Sequence, residues 1–425
     1  MSRWRQWILV GALAVTSVPG AVWASETDVL LNKLVEKGIL TASDAQDIRQ
    51  EVRAELAKQA ASTHQAPKAV AQENIPPSSL NWKWGGDLRL RNEYRNRTGS
   101  DNDANRQRIR FRYGFETKVG DTLTVGARLA TGSTTDPVST NQSFDTSFNH
   151  KTIVLDRAFA TYAPELSGIT SVTLTGGVIE NPFWLVGPLV WDDDLNFDGV
   201  AAHVEQDVGP ATVFNTSGIF LLQSGNTETP TIWSTQGGVI LKPFASAGAD
   251  YLKNLKLTGA LAYHDYRNVT NPLSESTVIS TLGAKGNTTG VQDFNLLNPT
   301  LELASQYADV PVSLFGDWVH NTAAETGNNG FQIGLKLGKA KTPFSLTKGW
   351  EAGYSFERIE PDATFGPFTD SDFGGGGTDH LGNVWWVKLA VMKNTSVGVR
   401  WLSAEELKGA KNHIDTVQMD WVTKF

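Results

Sequence analysis

From Leu80 to the last residue the chain alternates between apolar and polar side chains. Trp82, Trp84, Leu88, Leu90 and Tyr94 interleave with Lys83, Asp87, Arg89, Arg91, Glu93 and Arg95. In "NRQRIRFRYGFETKVG", residues 105–120, Arg106, Arg108, Arg110 and Arg112 occupy even positions, with Glu116 and Lys118 beyond them. Ile109, Phe111, Tyr113, Phe115 and Val119 occupy odd ones. A helix would scatter those arginines around its circumference, whereas the period of two in a strand gathers them on one side. The same alternation marks Leu123 to Leu129, Leu255 to Thr258, Leu301 to Tyr307, Phe331 to Leu337, Trp350 to Phe356, Trp385 to Val391 and Val397 to Trp401. About sixteen strands are predicted, each near the roughly 9–11 residues that cross a bilayer at a tilt.

The connections alternate too. Gly120-Asp121, Asp207 to Pro210, Asp309 to Pro311 and Lys393-Asn394 are short, while Thr131 to His150, Asn181 to Asn196, Asn268 to Asn298 and Glu360 to Gly382 are long. Short turns on one rim and long loops on the other are the plan of an outer-membrane barrel, and a soluble sandwich has no reason to follow it. Lipid would cover the apolar sides, and closure would satisfy every backbone N–H and C=O inside hydrocarbon. The predicted fold is therefore a closed, antiparallel, up-and-down transmembrane β-barrel over residues 80–425, preceded by a short helical segment. A sheet of mixed arginines and aromatics also suits RNA. A formal net charge of −8 disfavours nucleic acid as a partner, the more so once Arg3 and Arg5 are removed with a leader.

Ahead of the barrel, Arg3 and Arg5 precede an apolar run from Ile8 to Val22, and Val22-Trp23-Ala24 ends residues 1–24 as an expected secretory signal. Residues 25–60 read as two short helices: one stops at Gly38, and Thr41 with Asp44 opens the other as a capping box. Ala45, Ile48, Val52 and Leu56 form a stripe on the second, to pack on the first helix or on another copy. Residues 61–79, rich in Ala, Gln, Ser and Pro, read as a flexible linker. With no cysteine in the chain, neither disulfides nor thiolate metal sites contribute.

The final strand, "HIDTVQMDWVTKF", places Val417, Met419, Trp421 and Phe425 on one side and ends on the aromatic. It looks like the assembly signal of Gram-negative outer-membrane barrels. With "LLNKLVEKGILTASDAQDI", the arginine-rich first hairpin, "LDRAFATYAP" and "GGVIENPFW", nearly the whole mature chain resembles a porin family of Gram-negative bacteria whose barrel follows an N-terminal periplasmic helical segment. The resemblance implies an outer-membrane channel for passive diffusion of small polar or anionic solutes, a homo-oligomer with the trimer expected, lipid around it and no cofactor.

If the aromatic sides face lipid, Arg89, Arg91, Arg95, Arg106, Arg108, Arg110, Arg112 and Arg128 face the lumen as a positive ladder. Such ladders set ion preference in a narrow aqueous pore. Asp87, Glu93 and Glu116 in the same hairpin are the available partners for individual arginines. Opposing charge is expected from "NPFWLVGPLVWDDDLNFDG", where Asp192, Asp193 and Asp194 make a constriction loop, with Asp198 nearby. A solvated surface loop is the bland alternative. Asp192-x-Asp194-x-Asn196 resembles a calcium loop, but Phe197 stands at the glycine position and His203 at the glutamate, so no metal is assigned.

The seven histidines show no metal spacing, and no G-x-S-x-G elbow or phosphate loop occurs. The chain is therefore read as a channel and not an enzyme, with an envelope tether or a lipid hydrolase built on the barrel as alternatives. Purified mature chain should precipitate on removal of detergent; a monodisperse, detergent-free species in size-exclusion chromatography would contradict lipid as the covering of the apolar sides.

Overall fold

The computed structural model describes residues 81–425 except 100–102, 146, 224–228, 270–281, 289–292 and 346–347, together with the single positions 37, 41, 43, 44, 46 and 50. The chain divides into two units, residues 1–77 and 78–425. In the first, Thr41 N donates to Asp44 Oδ2 and Asp44 N to Thr41 Oγ1, both at 3.2 Å, the reciprocal pair of a capping box. The predicted leader, most of both helices and the linker lie outside the described residues.

The second unit is a single 17-stranded sheet. Its strands are β1 (Trp82–Arg97), β2 (Ala104–Val119), β3 (Leu123–Thr131), β4 (Gln142–Ser143), β5 (Ile153–Tyr162), β6 (Ser171–Glu180), β7 (Asn196–Val208), β8 (Ala211–Leu221) and β9 (Thr231–Leu241). Then come β10 (Lys256–Arg267), β11 (Phe294–Tyr307), β12 (Val310–Asn321), β13 (Asn329–Gly338), β14 (Trp350–Ile359), β15 (His380–Met392), β16 (Thr395–Glu406) and β17 (His413–Lys424). Sixteen of these close a cylinder of antiparallel neighbours. The extra strand, β4, pairs only at Arg108↔Ser143 and Ile109↔Gln142, beyond the point where β3 ends.

Closure runs through β1 and β17, with Leu90 opposite Trp421 and Arg91 opposite Asp420. Each predicted strand segment falls on a strand of the cylinder, except that Leu255 precedes β10 by one residue, and the four short turns all fall on one rim with the start of β1 and the end of β17. The four long loops all fall on the other. Three connections on the short-turn rim, residues 163–170, 242–255 and 339–349, run longer than the pattern predicts. Asp198 lies on β7, beside the inward Phe197, and points outward rather than into the lumen.

Aromatics gather on the outer surface at the short-turn rim. Trp84 stacks on Tyr113 at 5.6 Å, Trp82 meets Phe115 at 4.8 Å, and Phe425 stacks on Phe111 and Tyr113, each at 6.2 Å. Amphipathic rings favour such an interfacial belt. The last residue also completes the seam: Gly86 N donates to Phe425 O at 2.8 Å, and Phe425 N to Gly86 O at 3.1 Å.

Inside, the wall is two-sided. β1, β2, β16 and β17 carry charge, whereas β7 to β14 present an apolar patch that includes Phe197, Phe220, Ile232, Tyr266, Phe294 and Ile359. Alternation alone gives no sign of this patch, because it belongs to the nominally polar side of those strands.

Replacing Phe425 with Ala removes two ring pairs worth about 0.5–1.5 kcal/mol each while keeping the seam's backbone bonds. The heat-modifiable band on gels should persist, with unfolding in urea at lower concentration by the equivalent of about 1–3 kcal/mol. Deleting Phe425 outright should cost more, since Gly86 then loses both partners.

Candidate functional site: the narrowed lumen

The first hairpin sets one wall. Its register places Asp87 opposite Arg112, Arg89 opposite Arg110, Arg91 opposite Arg108 and Glu93 opposite Arg106. Two carboxylates thus stand within a field of guanidiniums, and most of the ladder is paired. Asp87 accepts from Arg110 Nη2 at 2.9 Å and Arg112 Nε at 2.7 Å. Glu93, fully buried, binds Arg106, lies 3.5 Å from Arg108 and 3.9 Å from both Arg91 and Arg95, and accepts from Gln418 Nε2 at 3.1 Å.

Arg91 reaches across the seam to Asp420 with Nε at 2.7 Å and Nη2 at 2.9 Å. Arg128 pairs with Asp156, which Asn196 also holds at 2.9 Å. Glu116 makes no ion pair with a described residue. Arg89 is the exception among the arginines: its Nη2 donates to Asn141 Oδ1 at 2.5 Å, no carboxylate lies within 4.0 Å among the described residues, and its buried Nε has no partner.

Loop 181–195 folds inward and crosses the lumen. Its apolar residues Phe183, Leu189, Val190 and Trp191 could not remain buried on a solvated rim; they seat on the apolar patch of the opposite wall. Trp191, with no exposed surface, lies 5.0 Å from Phe197, 5.1 Å from His264 and 6.2 Å from both Tyr266 and Phe368. Gln236 fixes the loop's backbone by accepting from Trp184 N at 2.8 Å and donating to Trp184 O at 3.0 Å. Gly187 passes so close to Gln332 that a Cβ there would stand 1.8 Å from its Oε1.

From that seat the loop presents Asp194 to the arginines. Arg110 and Arg112 Nη1 each lie 3.4 Å from its Oδ1, and Thr140 N and Oγ1 donate to its Oδ2 at 3.2 and 3.0 Å. Burial would raise the Asp194 pKa, but Arg110, Arg89 and Arg112 outweigh it and hold it below the usual value, so it remains ionised. Asp192 does not face the ladder, whereas Asp193 is exposed and lines the same cavity as the arginines. Asp192 accepts from Asp194 N and Ser371 N, both at 2.8 Å, and burial together with Asp370 pushes its pKa well up.

Loop 360–379 is the part that sequence reasoning passed over. It packs on the first loop, with Asp192 N donating to Phe368 O at 2.7 Å. It also sends Asp372 to Arg91 at 3.1 Å and Arg400 at 3.5 Å, while Asp370 takes Arg400 at 2.8 Å. Its signal was present in "ATFGPFTDSDF": three phenylalanines on a rim loop need a surface to cover them.

A cavity of about 980 Å³ remains between the loops and the wall. Arg89, Arg91, Arg110 and Arg112 line one side, and the loop's Leu185 to Pro188 with Asp193 and Asp194 the other. Toward the short-turn rim it widens among Lys336, Lys339, Lys341, Lys388 and Lys424. Among the described residues, Lys388 alone of these has a carboxylate within 4.0 Å, Glu351 at 3.3 Å. These lysines come from separate strands and one turn, so no local spacing exposes them.

Catalytic groupings are geometrically poor. Ser403, His413 and Asp415 meet on the outer face, but Ser403 Oγ at 3.1 Å and Asp415 Oδ2 at 3.2 Å both approach His413 Nε2. A nucleophile relay needs them on different ring nitrogens. Ser234 and His264, 2.9 Å apart, are buried beneath Trp191. No group of three or more His, Cys, Asp or Glu among the described residues is placed to hold a metal ion.

Comparison with known proteins places this geometry. The family model described as "Putative porin" matches residues 78–296 and 292–425. No curated protein matches in sequence. Among solved structures, OprB of Pseudomonas putida in its high-pH form aligns at 13% identity with a TM-score of 0.52, over 81% of this chain and 94% of that one. Salmonella typhi OmpF, solved with daunomycin, aligns at 11% and 0.46 over 81% and 97%. A variant of the Rhodopseudomonas blastica porin aligns at 10% and 0.43 over 81% and 100%. The OprB alignment carries the likeness of fold, and the family match spans the barrel from end to end: the chain belongs to this porin family and is an outer-membrane channel.

Proposed function

We propose that the channel passes small hydrophilic solutes down their gradients and prefers anions. The observation that carries this reading is the uncompensated positive charge beside the remaining passage. Among the described residues Arg89, Lys336, Lys339, Lys341 and Lys424 line this cavity with no carboxylate within 4.0 Å, against one acid there without an ion pair, Asp193. Charge of one sign in a narrow pore with low-dielectric walls concentrates the opposite ion. Arg110 and Arg112 pair with Asp194 at 3.4 Å, which ties the loop to the wall and leaves fixed charge of both signs at the edge of the passage, where it favours polar solutes over apolar ones.

In this reading the loop tip, residues 185–188, sets the aperture, while Arg89, Arg91, Arg110 and Arg112 set the charge. Arg95, Arg106, Arg108 and Arg128 lie nearer the long-loop rim or farther round the wall, and act on the approach. The chain joins the barrel at the short-turn rim, so residues 25–60 belong to the periplasmic side. Association into trimers is the assembly we expect.

Reversal potentials in planar bilayers test the charge assignment. Arg89→Gln removes a cation without stranding an acid, so anion preference should fall. A unit charge about 4 Å from the ion path is worth about 1 kcal/mol in water, a factor of about five in partitioning. Replacing Arg110 and Arg112 together by Gln strands Asp87 and Asp194 and should carry the preference past neutrality toward cations. Unchanged potentials in both variants would remove the arginines from the account.

Single-channel conductance tests the loop. Trp191→Ala vacates the seat of loop 181–195, at a local cost of about 3–5 kcal/mol, and should raise conductance and add open-channel noise while the barrel remains heat-modifiable. Wild-type conductance in that variant would mean the loop does not limit the passage.

A further inference from the structure

A second concentration of positive charge lies above the constriction, toward the long-loop rim. Arg95 on β1, Arg106 and Arg108 on β2, and Lys285 from the loop after β10 border a cavity of about 240 Å³. An adjoining cavity of about 290 Å³ shares Arg95 and Lys285 with it. Four cations meet there, and the acids around them are largely committed. Glu93 lies fully buried beneath the three arginines and carries one negative charge among them. Asp372 is engaged by Arg91 and Arg400. Asp136 lines this cavity and Asp379 the adjoining one, and neither makes an ion pair with a described residue, while Glu406 of the adjoining cavity is held by Arg97 at 2.6 Å. The Nε atoms of Arg95 and Arg108 are buried with no hydrogen-bond partner, and Lys285 has no carboxylate within 4.0 Å among the described residues.

The backbone around Lys285 is built to hold it in place. Lys285 stands at φ 46°, in the left-handed region that an L side chain seldom adopts. Thr378 N donates to its carbonyl at 2.9 Å. Glycines admit this contact: a Cβ on Gly377 or Gly366 would lie 2.1 or 2.3 Å from Lys285 O, and one on Gly286 2.3 Å from Thr378 O. The four-glycine run 374–377 forms the floor and keeps it free of side chains. Strain of this kind is kept where surrounding structure enforces it, commonly at binding sites.

We propose that this pocket binds a small multivalent oxyanion, such as phosphate or a polycarboxylate, on the outer side of the constriction. The proposal deepens the reading of the channel as anion-preferring and rests on it for the ligand's route inward. Three guanidiniums and an ammonium that converge on one small cavity call for several oxygens on one centre; charge-assisted bonds of this type are the strong ones. Chloride is a single atom with one charge and cannot spread its acceptors over donors on opposite sides of the cavity. The volume is below the roughly 300–1,000 Å³ of sites for drug-sized ligands, which suits an anion of a few heavy atoms.

Isothermal titration of the full chain in detergent with inorganic phosphate, citrate and chloride tests the pocket without requiring conduction. Saturable binding is expected for phosphate or citrate and not for chloride, and which of the two binds more tightly identifies the oxyanion. Lys285→Gln, an exposed change that leaves the barrel packing intact, and Arg95→Gln should each weaken binding at least tenfold, with heat-modifiability confirming the fold. No saturable binding of either oxyanion, equal affinity in both variants, or loss only on Arg89→Gln would overturn the proposal. Reversal potentials of the wild-type channel separate the two readings: saturable binding without anion preference keeps the pocket and sinks the proposed selectivity, and the converse sinks the pocket alone.

Discussion

The structure depends on the need to hydrogen-bond every backbone N–H and C=O within hydrocarbon, where water offers no substitute. A sheet meets that need only by closing, so the pairing of β1 with β17 completes each other strand's environment as well. The terminal phenylalanine belongs to this logic: it adds a last pair of backbone bonds at the seam and three-ring contact on the outer surface. Once closure fixes which side of each strand faces lipid, the inward positions are free to carry charge.

Charge in a confined lumen must then be compensated, and the compensation is shared out unequally. Asp87 and Glu93 come from the same hairpin as the arginines, Asp420 comes from the other side of the seam, and Asp194 and Asp372 come from loops. The arginines therefore serve two purposes. They fasten loops to the wall through carboxylates, and those that are left over give the passage its sign. A ladder counted from sequence overstates the free charge, because distant carboxylates are invisible to it.

Alternation made the strands, the two rims and the polarity of each strand readable, since a period of two leaves little freedom once lipid is the solvent on one side. Thr41 and Asp44 were likewise readable as a cap, because the motif is local. The constriction loop was anticipated from its length and its aspartates; Asp194 pairs with the arginines and Asp193 lines the same cavity, while Asp192 turns away. Asp192 and Asp193 lie next to Asp370, a residue distant in sequence. The second inward loop, Arg400 and the lumen lysines were missed for the same reason: their proximity is created by the curvature of the sheet, not by spacing. The apolar patch inside the barrel runs against the simple rule of polar lumen and apolar exterior. It exists because Trp191 and Phe368 need somewhere dry to rest.

Asp194 is held by Thr140 and by two arginines of β2, while its neighbour Asp192 is held by Ser371. Partners so widely separated along the polypeptide can meet only after nearly every strand has taken its place. The width of the passage thus rests on contacts between segments far apart in the chain. A substitution in either inner segment can therefore change what the pore admits while the cylinder itself stays as it was.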